Sequence, residues 1–250
     1  MVPRAILLIA ALPALLPAQS GEWKIHSLER PRPPVVHPGG AAVVAPPADA
    51  VILFDGRDLS AWRSSRDSVS PAPWRIVGDA MEVVPGTGGI LTVREFGDAQ
   101  LHVEWMTPSP ARDAGQDRGN SGVFLMGRYE VQVLDSWESD TYADGQAAAI
   151  YGQFPPMVNA SLPPGTWQSY DIVFRRPRFD NAGKVTAPAR MTVFHNGVLV
   201  HQHVALLGPT SHTVRAPYAA HADRLPIALQ DHGSPVRFRN IWVRPLSDRP

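Results

Sequence analysis

Cysteine is absent from the 250 residues of this chain, which excludes disulfide scaffolds, thiolate nucleophiles and cysteine-held zinc. An excess of either charge is absent too, since 23 Lys and Arg stand against 23 Asp and Glu. That balance leaves no electrostatic footprint for nucleic acid or an anionic membrane. Beyond the N-terminus, no apolar run approaches the ~20 residues that a membrane helix needs. The chain has no Gly-x-Ser-x-Gly elbow, no phosphate-binding loop and no His-Glu-x-x-His helix. The paired acids of ordinary glycosidases are also missing, because Glu130 is followed two places on by Gln132 rather than a second carboxylate.

What is present begins with a leader. Arg4 precedes an apolar run over residues 5–16, broken at Pro13, and small or polar residues follow at Pro17-Ala18-Gln19-Ser20. Residues 1–20 therefore read as an export signal, and the mature protein as periplasmic or secreted. Residues 21–50 are rich in Pro, Ala and Gly. They predict an extended segment without a core of its own, lying across the domain surface with Trp23 as its anchor.

From residue 51 to the end the pattern is β, and it forms a single domain. Strands are expected over 51–54, 80–84, 90–93, 101–106, 122–126 and 129–134. Five more are expected over 169–174, 190–195, 198–203, 226–230 and 236–243. Asn196-Gly197 lies between two of them and predicts a type I′ hairpin, whose central residues need positive φ. The apolar phase of the last strand slips at Asn240, which predicts a β-bulge. The whole reads as an all-β sandwich of two antiparallel sheets. Trp62, Trp74, Trp105 and Trp242 are expected in its core.

The segment from Gly119 to Ser136 carries the candidate chemistry. Period two puts Tyr129, Val131 and Val133 on one face and Glu130 with Gln132 on the other. Near the C-terminus, Ile227 and Leu229 alternate in the same way with Gln230, and His232 follows. Two strands thus each offer polar side chains on one face, expected to be wet or to bind something polar. The plainer alternative is a solvated sheet face, because alternation alone produces one. Asn120 and Asp135 end the neighbouring strands, where turn chemistry is the simpler role. Residues 137–165 lack regular patterning, and loops of that length are often functional. Trp137, Tyr142 and Tyr151 within them could stack on a sugar ring. His201 and His203 share a strand face, but no metal-ligand spacing is strong.

With these residues in view, the chain resembles the family of 3-keto-disaccharide hydrolase domains. The likeness rests on Leu53-Phe54-Asp55-Gly56 with Trp62, the run from Gly119 to Ser136, and Tyr151-Gly152-Gln153-Phe154-Pro155-Pro156 with Trp167 to Asp171. Leu229-Gln230-Asp231-His232-Gly233 with Arg237 to Trp242 completes it. The resemblance implies a concanavalin-like jelly roll with a concave polar face. It also implies an enzyme acting on sugars oxidised at C3, by C2 proton abstraction, elimination at C1 and hydration. Glu130 and His232 are then the base candidates. Asn120, Arg128, Gln132, Asp135, Gln230 and Tyr151 are the substrate-binding candidates, with Arg128, Gln132, Gln230 or a bound divalent metal ion facing the enolate oxygen. The alternative function is a non-catalytic, lectin-like carbohydrate-binding module.

Overall fold

A computed structural model describes residues 23–40 and 44–247. The expected export signal at residues 1–20 lies outside the described residues. The first half of the chain supplies β1 (Val51–Phe54), β2 (Trp62–Ser64), β3 (Arg75–Val77), β4 (Ala80–Glu82) and β5 (Ile90–Phe96). It continues with β6 (Ala99–Met106), β7 (Ser121–Leu125) and β8 (Tyr129–Val133). The second half adds β9 (Gln168–Arg175), β10 (Arg178–Phe179), β11 (Val185–Ala187) and β12 (Arg190–His195). Then come β13 (Val198–Ala205), β14 (Leu225–Leu229) and β15 (Arg237–Pro245). No helix among the described residues is long and apolar enough to cross a membrane.

Two antiparallel sheets form the sandwich. An eight-stranded sheet runs β13-β12-β9-β6-β15-β4-β3, with β1 also paired to β15, and a five-stranded sheet runs β2-β5-β14-β7-β8. The alternation read from the sequence fills the space between them. Val123, Leu125, Tyr129, Val131, Val133, Ile227 and Leu229 come from the smaller sheet, and Leu101, Val103, Trp105, Tyr170, Ile172 and Phe238 from the larger. Two polar bonds tie the sheets together across this layer: the Tyr170 hydroxyl donates to the Gln132 carbonyl at 2.7 Å, and Trp62 Nε1 donates to the Leu53 carbonyl at 2.8 Å. Strands β2, β3, β10 and β11 were not expected; at two or three residues they are too short to show a period.

Three of the four tryptophans expected in the core are there. Trp242 is equally buried, but it pairs with His102 across β15 and β6 on the opposite face and stacks on its ring at 5.2 Å. His102 is clamped by Asp171 at 2.7 Å and faces Glu104 at 3.8 Å. Burial disfavours its charge, but the two carboxylates outweigh that and lift it to about 9.

Both predicted irregularities are present. Asn196 (φ 52°) and Gly197 (φ 77°) join β12 to β13, and the β15 register shifts around Asn240, where φ is 44°. Asn196 is also a structural knot. Its Oδ1 accepts from Ser169 N at 2.9 Å, and its Nδ2 donates to Ala160 O at 2.8 Å and Gln168 Oε1 at 3.2 Å. Asn196→Ala strands buried polar partners and loses tolerance of positive φ. It should cost about 2–3 kcal/mol. Urea unfolding should show a lower midpoint at unchanged slope.

Candidate active site

Register across three strands gathers the polar side chains. Gly122 pairs with Gln132 and Phe124 with Glu130, while Phe124 also pairs with Ala228 on β14. Ladder partners share a face, so Gly122, Phe124, Glu130 and Gln132 lie together. Gln230, two residues past Ala228, extends the row. Its N donates to Gly122 O at 3.1 Å and its carbonyl accepts from Ser121 Oγ at 2.6 Å.

Of the two alternatives expected for that face, wet or binding something polar, it is not the wet one. Glu130 is 4% exposed and Gln132 1%. Two loops cover them. One follows the 3-10 turn Ala143–Gly145 and bonds along β8, through Ala148 N to Gln132 O and Gln132 N to Ala149 O, both 2.9 Å. The other comes from the β13–β14 connection. Its Thr210 N donates to Arg128 O at 2.8 Å, and its Oγ1 accepts from Glu130 N at 3.0 Å. Together they cap an edge strand that would otherwise be open to pairing.

Between sheet and loops remains a cavity of about 180 Å³. Six of the eight expected residues line it: Asn120, Glu130, Gln132, Tyr151, Gln230 and His232. Phe124, Thr210, Ser211 and His212 complete the lining, and His212 and His232 are exposed. Below the ~300–1,000 Å³ of pockets for drug-sized ligands, this space is on the scale of one sugar ring. A larger depression of about 530 Å³ lies beside β2, but its lining of Leu59, Trp62, Val69, Pro71 and similar residues holds no carboxylate or histidine.

Two candidates fall outside the cavity. Arg128 is exposed in the β7–β8 turn. Asp135 is buried in an ion pair with Arg118 Nε at 2.7 Å and accepts from Trp137 N at 3.2 Å, so it fixes a loop. Both came with the family resemblance as substrate-binding candidates, and their places in the turn and at the strand end leave them outside the cavity lining. His201 and His203 also part company. His201 is buried and bonds Ala148 O at 2.9 Å, whereas a register shift and φ of 50° leave His203 exposed.

Glu130 dominates the electrostatics. Burial alone pushes its carboxyl up to about 8, with no cationic partner to oppose the shift. The Gln132 amide can be placed either way round, and the placement with its NH2 facing Ser121 O and Glu130 Oε1 is the better satisfied. In one its NH2 donates to Gln116 Oε1 at 3.1 Å; in the other it sits 2.9 Å from Ser121 O and 3.2 Å from Glu130 Oε1. Tyr151 shares a 2.8 Å hydroxyl contact with Tyr142, and burial raises both phenols. Among the described residues, no group of three or more His, Asp or Glu side chains is arranged to hold a metal ion.

Sequence reasoning missed Phe124, Thr210, Ser211, His212 and Gly122. A signal existed for Gly122, because an isolated glycine inside a strand marks a close approach. A Cβ there would sit 2.5 Å from Glu130 Oε1. The 210–212 loop has no period, so nothing in the sequence flagged it.

Residues 49–244 match the model of the 3-keto-alpha-glucoside-1,2-lyase-like domain. A 3-keto-disaccharide hydrolase of Bacteroides thetaiotaomicron is 23% identical over 257 aligned positions, covering 80% of each chain. The crystal structure of a protein from Parabacteroides distasonis, named provisionally as a glycosyl hydrolase, is 41% identical. It covers 86% of this chain and 93% of its own, with a TM-score of 0.78. A second, similarly named P. distasonis structure is 21% identical over 79% of this chain and 99% of its own. Its TM-score of 0.54 shows the shared fold.

Proposed function

Because the chain belongs to the 3-keto-alpha-glucoside-1,2-lyase-like domain family, we propose that it cleaves 3-keto-glycosides, 3-keto-disaccharides among them, by elimination and hydration. The observation that carries this reading is a desolvated, unpaired carboxyl, Glu130, in a cavity of sugar-ring size. A ketone at C3 acidifies the hydrogen on C2, because the carbanion delocalises onto the C3 oxygen. A base whose pKa lies near the working pH can remove that proton. A carboxyl lifted to about 8 meets this condition, whereas an ordinary surface glutamate is too weak a base.

The steps balance as follows. Glu130 carboxylate takes the C2 proton, and the electron pair moves through C2–C3 to the C3 oxygen. Amide donors of Gln132 and Gln230 stabilise that enolate, the role an oxyanion hole plays in acyl transfer. The enolate collapses, the C1–O bond breaks, and the leaving oxygen is protonated from the His232 side. Water then adds at C1 of the enone, giving up a proton to the His232 side that restores the one spent on the leaving group, and Glu130 returns its proton to C2. Because the bond breaks by elimination, a second opposed carboxylate is not needed, which fits the lone glutamate. The leader at residues 1–20 goes with an exported enzyme meeting its sugar outside the cytoplasm.

Turnover in D2O tests the mechanism. Elimination and re-protonation should leave deuterium at C2 of the released 3-keto-sugar, well above the slow exchange of an enzyme-free control. Release of sugar with hydrogen retained at C2 would mean direct hydrolysis. Binding of keto-sugars without any release would replace catalysis with the lectin-like role.

A further inference from the structure

The family match begins at residue 49, yet one wall of the cavity leans on residues 23–36, which precede it. The His26 amide donates to Asp144 Oδ2 at 3.1 Å. Its ring stacks on Tyr142 at 4.0 Å and meets Tyr151 and His212 edge-on, each at 5.2 Å. Tyr151 and His212 both line the cavity. Four residues on, Arg30 is 3% exposed, donates to Gln153 O at 3.1 Å and lies 3.9 Å from Asp144 Oδ2. Further along, Val36 N donates to Asn159 O and Asn159 N to Pro34 O, both at 2.9 Å. Trp23, the expected anchor, is 36% exposed. His26 and Arg30 hold the segment in its place.

Two features set His26 apart from a simple anchor. Its φ of 60° is one that non-glycine residues seldom adopt, and such strain gathers at functional sites. Its Nε2 is buried without a partner, as are Arg30 Nη2 and Asp144 Oδ1 beside it. A segment serving only to cover surface has no need of buried, unsatisfied polar atoms, which cost stability.

We propose that residues 23–36 are a working part of the site, with His26 a positioning residue. It holds the Tyr142–Tyr151 pair and His212 against the cavity, so this segment sets how tightly the sugar ring is gripped. The chain of contact runs from His26 to Tyr142, through the 2.8 Å hydroxyl contact to Tyr151, and so to the substrate. The proposal rests on the reading that the cavity takes a keto-sugar, and its test separates the two.

His26→Ala and His26→Phe are compared with the wild type for kcat and KM on a 3-keto-glycoside. In parallel, the protein is labelled with 3-fluorotyrosine, and the Tyr151 fluorine signal is assigned with Tyr151→Phe. His26→Ala should raise KM about tenfold while kcat stays within about threefold, the pattern of lost uniform binding. It should also shift the Tyr151 resonance without substrate. His26→Phe keeps the ring stack and should return KM to within about threefold of wild type. Unchanged KM and unchanged resonance in His26→Ala, or no recovery in His26→Phe, would overturn the proposal. If His26→Ala does not fold, Tyr142→Phe carries the test, because it breaks only the hydroxyl contact; a KM equal to wild type then overturns it. If the wild type never turns over a keto-glycoside, the functional reading fails by itself. The fluorine resonance then decides alone, a shift supporting the positioning role and no shift overturning it.

Discussion

Glu130→Gln is expected to lower turnover of a 3-keto-glycoside by roughly a hundred- to ten-thousandfold, the range over which a positioned acid–base group contributes. The same change should stabilise the folded protein, and the gain should depend on pH. Burial holds the folded carboxyl near 8, against an ordinary glutamate value of 4.5. A carboxyl raised on folding leaves the native state holding a proton that the unfolded chain has released. Its favourable contribution is complete below pH 4.5 and is lost as pH rises through about 8. Glutamine cannot ionise, so the variant escapes that loss. The difference should be near zero at pH 4 and reach about 4 kcal/mol at pH 8. Urea titrations at a series of pH values check the stability half. A constant difference across pH would show that Glu130 is not desolvated. The wild-type rate gives a second check: as base, Glu130 must be ionised, so turnover should climb with pH, reach half its limit near 8 and level off above it. Full turnover in the glutamine variant would move the base to His232.

Much of this site could be read from alternation alone. Tyr129, Val131 and Val133 had to be inside if the sheet was to have a core, and that set Glu130 and Gln132 on the other face. Ile227 and Leu229 did the same for Gln230. What alternation could not supply was the roof. The loops that bury Glu130 have no period, and their hold on β8 is mostly backbone bonding, to Gln132 and Arg128, which any residue could make. The carboxyl's raised pKa follows from that roof, so nothing in the sequence could set the buried Glu130 apart from the exposed His232. Arg128 and Asp135 failed for a related reason. Arg128 sits in the β7–β8 turn and stays exposed, while Asp135, just past the end of β8, is taken up by Arg118, which precedes β7. The Pro-rich segment was legible in part, since it lies along the domain as expected but is held by residues other than Trp23. Its composition describes a spacer, and neither His26 nor Arg30 stands in any pattern that marks it for burial.

Gly122→Ala should be nearly as damaging to turnover as losing the carboxyl, yet almost silent in stability. An added Cβ would meet Glu130 Oε1 at 2.5 Å and Phe124 Cε2 at 2.7 Å. The first is the tip of a flexible side chain, which can swing aside. The backbone at Gly122 is not in the left-handed region, so alanine brings no conformational penalty there. Alanine's lower unfolded-state entropy and the mild overpacking oppose each other, leaving a net change within about 1 kcal/mol. The carboxyl, however, must leave its place, and misplacing a reacting group by about 1 Å can cost about a hundredfold in rate. A double-mutant cycle with Glu130→Asp separates this contact from a general disturbance. Aspartate is one methylene shorter, so it retreats from the new methyl group while keeping a carboxyl in the cavity. Gly122→Ala should therefore hurt the aspartate enzyme much less than the wild type, giving a coupling well outside the additive range. Equal losses in both backgrounds would mean that Gly122 acts on folding or on Phe124, not on the base.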